Sequence, residues 1–137
     1  MRSILTISAT LLAMATPMHA EGEADPAKGA KEFRKCKACH AITAPDGTAI
    51  LKGGRTGPDL YGVIGRIAGS TDFKYSSIMQ AAGATGLIWD LEGFAAYIAD
   101  PNSFLSEAAG ESGRSKMTKQ RVKSPADIVA YLESVVE

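Results

Sequence analysis

The stretch KCKACHAI, residues 35–42, constrains this chain more than any other. It holds both cysteines, Cys36 and Cys39, with His40 directly after them. Four chemistries use such a pattern. A Cys36–Cys39 disulfide would close a very small loop and add little stability. A redox dithiol of the C-x-x-C kind belongs to a βαβ setting, and no period-2 strand pattern of useful length is present. A structural zinc site needs four ligands. Covalent haem attachment employs all three residues: thioethers from Cys36 and Cys39 to the two vinyl groups, and the His40 imidazole for the iron.

The N-terminus narrows the choice. MRSILTISATLLAMATPMHA has a charged Arg2, an apolar stretch from Ile4 to Ala15, then Pro17 and a small Ala20. This is the plan of a secretory signal peptide over residues 1–20. Its apolar stretch of about 12 residues is shorter than the roughly 20 that span a bilayer. The cut is placed after Ala20, although Met18 stands where a smaller residue is usual. Residues 21–137 then form one small domain in an oxidising compartment, the periplasm. A domain of this size has a limited core and is often stapled or built on a cofactor.

Removal of residues 1–20 leaves His40 as the only histidine, and Met79 and Met117 as the only methionines. Without further Cys or His, a zinc site would need an unusual carboxylate ligand. With histidine exhausted, a methionine thioether is the next common partner for a haem iron. Met79 lies in IMQAA, a helical pattern in which a core role suffices. Met117 lies in SGRSKMTKQRV, a polar stretch whose nearest apolar neighbour is Val122. Such a methionine has little reason to be buried unless something binds it, which favours Met117.

The element pattern is all-α. Asp25-Pro26 opens a first helix. If that helix ran on, Gly29, Phe33, Cys36 and His40 would share one face. Residues 41–72 are rich in turn residues and read as loop. A short helix is expected over 75–82, stopping at Gly83. Asp90 caps LEGFAAYIA, which ends before Pro101. Ser124, Pro125 and Asp127 cap a last helix carrying Ile128, Tyr131, Leu132, Val135 and Val136.

KGAKEFRKCKACH, TGPDLYGVIGR, FKYSSIM, GLIWD, YIADP, SKMTK and DIVAYLE occur in that order over the whole mature chain. In them the sequence resembles class I cytochromes c, especially the periplasmic cytochromes c2 of purple bacteria. The resemblance implies crossing N- and C-terminal helices, with Gly29 and Phe33 against Ile128 and Tyr131, and long loops around one covalently bound haem c. It implies that the Pro58 carbonyl accepts the imidazole N–H of His40, and that Tyr97 hydrogen-bonds near the methionine sulfur. Arg66, Tyr75, Trp89 and Ser115 match positions around the haem propionates. Two departures stand out: Asp59 replaces a frequent Asn, and the lysine excess of many relatives is missing.

The implied function is one-electron transport rather than catalysis. A soluble monomer would shuttle from a cytochrome bc-type complex to a photosynthetic reaction centre or terminal oxidase. The balance of 15 basic and 15 acidic side chains gives nucleic acid binding no support. Its distribution is uneven, however. Residues 28–37 carry Lys28, Lys31, Arg34, Lys35 and Lys37 against Glu32 alone, and residues 114–123 carry Arg114, Lys116, Lys119, Arg121 and Lys123 with no acid. Basic segments beside the haem edge would steer an acidic partner. Two rival functions remain: a thiol–disulfide oxidoreductase using Cys36 and Cys39, and a sensing haem protein with a labile sixth site.

Overall fold

The computed structural model describes residues 22–136; the expected signal segment lies outside them. Among the described residues there are five α-helices and one two-stranded sheet. Helix α1 spans Pro26–Glu32, α2 Ser77–Ala84, α3 Leu91–Ala99, α4 Pro101–Ala109 and α5 Pro125–Ser134. None of them is long and apolar enough to cross a membrane.

The Asp25 side chain caps α1, accepting the N–H groups of Ala27 at 2.9 Å and Lys28 at 3.2 Å. The helix does not continue to His40. It tightens into a 3-10 turn at Phe33–Lys35 and then into turns in which Cys39 and His40 both donate to the Cys36 carbonyl. Three residues per turn bring positions i and i+3 onto one side, so Cys36 and Cys39 border the same cleft.

Helix α5 begins where its capping signature predicts, with Ser124 Oγ accepting the Asp127 N–H at 3.2 Å. It buries Ile128, Val129 and Leu132, ends at Ser134, and leaves Val136 exposed. Helices α1 and α5 cross as the resemblance implies. A Cβ on Gly29 would collide with the Asp127 carbonyl, so the crossing is as close as the backbones allow. The Phe33 and Tyr131 rings meet with centroids 5.5 Å apart.

Three expectations are corrected. Residues 41–72 are not unbroken loop: β1 (Ile42–Thr43) pairs antiparallel with β2 (Ala49–Leu51). Two and three residues are too few to display a period of two. Helix α2 runs past Gly83, which is not a terminator. A Cβ there would strike the Ala68 carbonyl, so this glycine admits a neighbouring loop. Finally, Pro101 does not only follow the end of α3 but begins a further helix, α4. Asp100 serves both helices, ending α3 and accepting the Ser103 N–H at 3.2 Å to start α4. Pro101 sits in the first turn and Gly110 closes the helix at φ +70°. Leu105 of α4 joins Phe33, Ile78, Ile128 and Leu132 in the fully buried core.

Candidate haem site

A cleft of about 390 Å³ opens into this core. Its lining includes all ten residues singled out from the sequence: Cys36, Cys39, His40, Pro58, Arg66, Tyr75, Trp89, Tyr97, Ser115 and Met117. Residues up to 81 positions apart thus share one wall system.

His40 is buried, and its Nδ1 donates to the Pro58 carbonyl at 2.7 Å. Burial lowers its pKa below the ordinary histidine value, outweighing the opposing effects of the Pro58 bond and Asp59. The imidazole is therefore neutral at pH 7, with its lone pair on Nε2. A ring nitrogen tied to a carbonyl while the other stays basic is the arrangement of a metal-ligating histidine. The residues thus fit an iron ligand on this side.

Three glycines of the turn-rich segment 52–59 make the arrangement possible. A Cβ on Gly53 would meet the His40 carbonyl, one on Gly54 the Ala38 carbonyl, and one on Gly57 the His40 ring, 2.7 Å from Nδ1. The KGGRTGPD segment lies directly against the motif because it lacks side chains there. The turn-rich spelling signals a loop, but not what that loop touches.

The two thiols differ. Cys39 is exposed and Cys36 half-buried, and burial pushes the Cys36 thiol up to about 11. A thiol so raised is a poor nucleophile at neutral pH, which weakens the dithiol reading. Among the described residues, no three His, Cys, Asp or Glu side chains converge as metal ligands, which weakens zinc.

Arg66 is anchored by Nη1 to the Tyr61 carbonyl at 3.0 Å and by Nη2 to the Asp59 carbonyl at 3.2 Å. A guanidinium has five N–H donors, so these two bonds leave others for further acceptors. An antiparallel bridge pairing Ile67 with Ile88 sets Arg66 beside Trp89, whose backbone N–H donates to the Arg66 carbonyl at 3.0 Å. The Trp89 ring packs on Tyr97 at 4.9 Å and on Phe104 of α4 at 6.0 Å. The Tyr75 hydroxyl is hydrogen-bonded to that of Thr71. Asp59 is not idle: its Oδ1 accepts the N–H groups of Thr43 at 3.1 Å and Tyr61 at 2.9 Å.

Tyr97, expected near the methionine sulfur, has its hydroxyl 3.2 Å from Ser115 Oγ. Burial raises its pKa, so the hydroxyl keeps its proton. Ser115 Oγ also accepts the Met117 N–H at 3.0 Å. Met79 lines the same cleft and is buried, so position alone does not separate the two sulfurs. Their settings differ: Met79 lies inside α2, whereas Met117 lies in a segment without secondary structure.

The two basic segments meet in space. Lys35 Nζ donates to the Arg121 carbonyl at 3.0 Å, and Glu32 Oε2 accepts the Lys123 N–H at 2.7 Å. Lys35 and Lys116, one from each segment, border the cleft. Lys28, Lys35 and Lys119 are paired with acids. Among the described residues, the Arg34, Lys37, Arg114 and Lys123 side chains have no such pair.

No protein-family model matches the chain. It is, however, 45% identical over 137 residues to cytochrome c2 of Rhodobacter capsulatus, covering 98% of both chains. It is 50% identical over 114 residues to cytochrome c-550 of Paracoccus pantotrophus, covering 80% of this chain and 85% of that one. The solved structure of Rhodobacter capsulatus cytochrome c2 superposes with a TM-score of 0.78 at 49% identity, over 83% of this chain and all of the other. Proteins of this kind are electron carriers, not enzymes, and hold one covalently bound haem c. The chain belongs to the cytochrome c2 and c-550 family of class I cytochromes c.

Proposed function

We propose that this chain is a periplasmic one-electron carrier whose haem is attached through Cys36 and Cys39 and ligated by His40 and Met117. When bound, the haem supplies an iron that accepts and releases a single electron. His40 presents Nε2 while Pro58 holds the ring's orientation and proton. Met117 supplies the thioether, which raises the potential relative to a second imidazole. Arg66, Tyr75, Trp89 and Ser115 would surround the propionates, where donors offset the expense of burying carboxylates. Tyr97 donates beside the sulfur and, through Ser115, steadies the Met117 backbone.

The observation that carries this reading is His40, fixed to Pro58 at 2.7 Å and sharing a cleft with Met117. The joined basic segments beside the cleft support docking of acidic partners. A cytochrome bc-type complex would be the donor, and a photosynthetic reaction centre or terminal oxidase the acceptor. Electron-transfer encounters of this kind are small and short-lived. The purified holoprotein should show a c-type α band when reduced and, when oxidised, the weak near-infrared band of methionine ligation. Met117→Ala should abolish the near-infrared band and Met79→Leu should keep it; the reverse pattern would assign the ligand to Met79.

A further inference from the structure

We propose that Asn102, in the first turn of α4, is a positioning residue for Met117. The inference rests on Met117 being the sulfur ligand. Residues 111–123 form no helix or strand, apart from bends, so the place of this sulfur depends on what fastens the segment. Helix α4 supplies two of those fastenings. Ser106 Oγ accepts the Gly113 N–H at 3.3 Å, and Asn102 Oδ1 accepts the Ser115 N–H at 2.8 Å.

Ser115 then passes the constraint on. Its hydroxyl accepts the Met117 N–H at 3.0 Å and lies 3.2 Å from the Tyr97 hydroxyl of α3. Asn102, Ser115, Tyr97 and Met117 are thus one connected hydrogen-bonded set, joining two helices to the backbone that carries the thioether. Gly113 is pressed on α2, where a Cβ would come 2.6 Å from Ile78 Cβ. Beyond Met117, the Gln120 N–H donates to the Ile98 carbonyl at 2.7 Å and Lys119 pairs with Asp100 at 2.8 Å. The segment is held on both sides of the sulfur, and Asn102 is the side chain that grips it two residues before.

Asn102 is solvent-exposed, so water replaces its bond when it is lost. The net effect of one such bond corresponds to about twofold to tenfold in the equilibrium between a fastened and a released segment. With haem bound, release of the segment would leave the Met117 position open to an added ligand, so the readout is competition rather than folding.

The test uses ferric holoprotein titrated with imidazole, together with amide hydrogen exchange at Ser115 in the reduced protein. Asn102→Ala should raise the apparent imidazole affinity by about twofold to tenfold and accelerate exchange at Ser115. Asn102→Asp keeps an acceptor and should restore both to native levels. Ile128→Val, in the α1–α5 core, should lower the unfolding temperature and leave imidazole affinity unchanged. Native imidazole affinity in Asn102→Ala, or equal effects of the Ala and Asp variants, overturns the proposal. Persistence of the near-infrared band in Met117→Ala overturns the underlying ligand assignment instead, and Ser115 exchange still reports whether Asn102 fastens the segment.

Discussion

Asp127 Oδ1 accepts the backbone N–H of Asp25 at 2.8 Å, so the first turn of α5 binds the residue that caps α1, 102 positions earlier. The two helix starts are therefore one structural unit, completed by the close passage of Gly29 beneath the Asp127 carbonyl.

Gly29→Ala separates two opposing effects. In an isolated helix, alanine is favoured over glycine by about 1 kcal/mol. Here its methyl group meets backbone, and relief requires α1 to move off α5, which costs about 1–3 kcal/mol. The variant should be destabilised despite its better helix propensity. Denaturant unfolding of the holoprotein measures this, and a stabilised Gly29→Ala would contradict the described crossing.

Gly57→Ala should act on the haem rather than on the fold. Its methyl group would overlap the His40 ring and break the 2.7 Å bond to Pro58. The expected result is a shifted midpoint potential, with altered visible bands, while far-ultraviolet helicity is retained. An unchanged spectrum and potential would mean that the ring is not held against this loop.

Glu32 gives the acid side of stability a specific source. The Lys123 N–H, followed by Lys35, holds its carboxyl below the ordinary glutamate value of 4.5. A depressed carboxyl pKa means that the unfolded chain binds more protons than the folded one over this range. The stabilisation is complete above about pH 5 and lost as pH falls through the folded value. Glu32→Gln should therefore be less stable than the native chain at pH 7, with the difference closing as the pH falls through and below the depressed folded value. A difference that is constant with pH would show that the charge plays no part.

Lys37 is exposed and lies in sequence between Cys36 and Cys39, which border the cleft. Lys37→Glu should slow electron transfer with an acidic redox partner by about twofold to tenfold at low ionic strength. The gap should shrink above about 0.1 M salt, where the Debye length falls to about 10 Å. Stopped-flow kinetics across a salt series would decide, and a salt-independent native rate would count against docking through this face.

Much of the site was legible in the sequence because its chemistry is local. Cys36, Cys39 and His40 lie within five residues, and the caps of α1, α3 and α5 are spelled by Asp25, Asp90 and Ser124 beside the helices they start. Helix α4 was equally well spelled by Asp100, Pro101 and Gly110. Its missed start shows that a proline after a helix can end one element and begin the next when the intervening Asp serves both. The polar surroundings of Met117 are legible in the sequence, whereas its sharing of one cleft with Met79 is a property of the fold.

By itself, the sequence determined that Cys36, Cys39 and His40 stand together as a C-x-x-C-H pattern and where most helices begin, since each depends on atoms a few residues apart. Only the tertiary structure decided which distant groups act together. It put Asn102, Tyr97 and Ser115 around Met117, and it revealed that Gly53, Gly54 and Gly57 are bare because the His40 segment lies against them. Those relations depend on how closely packed backbones pass one another, which is settled by the fit of the whole core and not by any one stretch of chain.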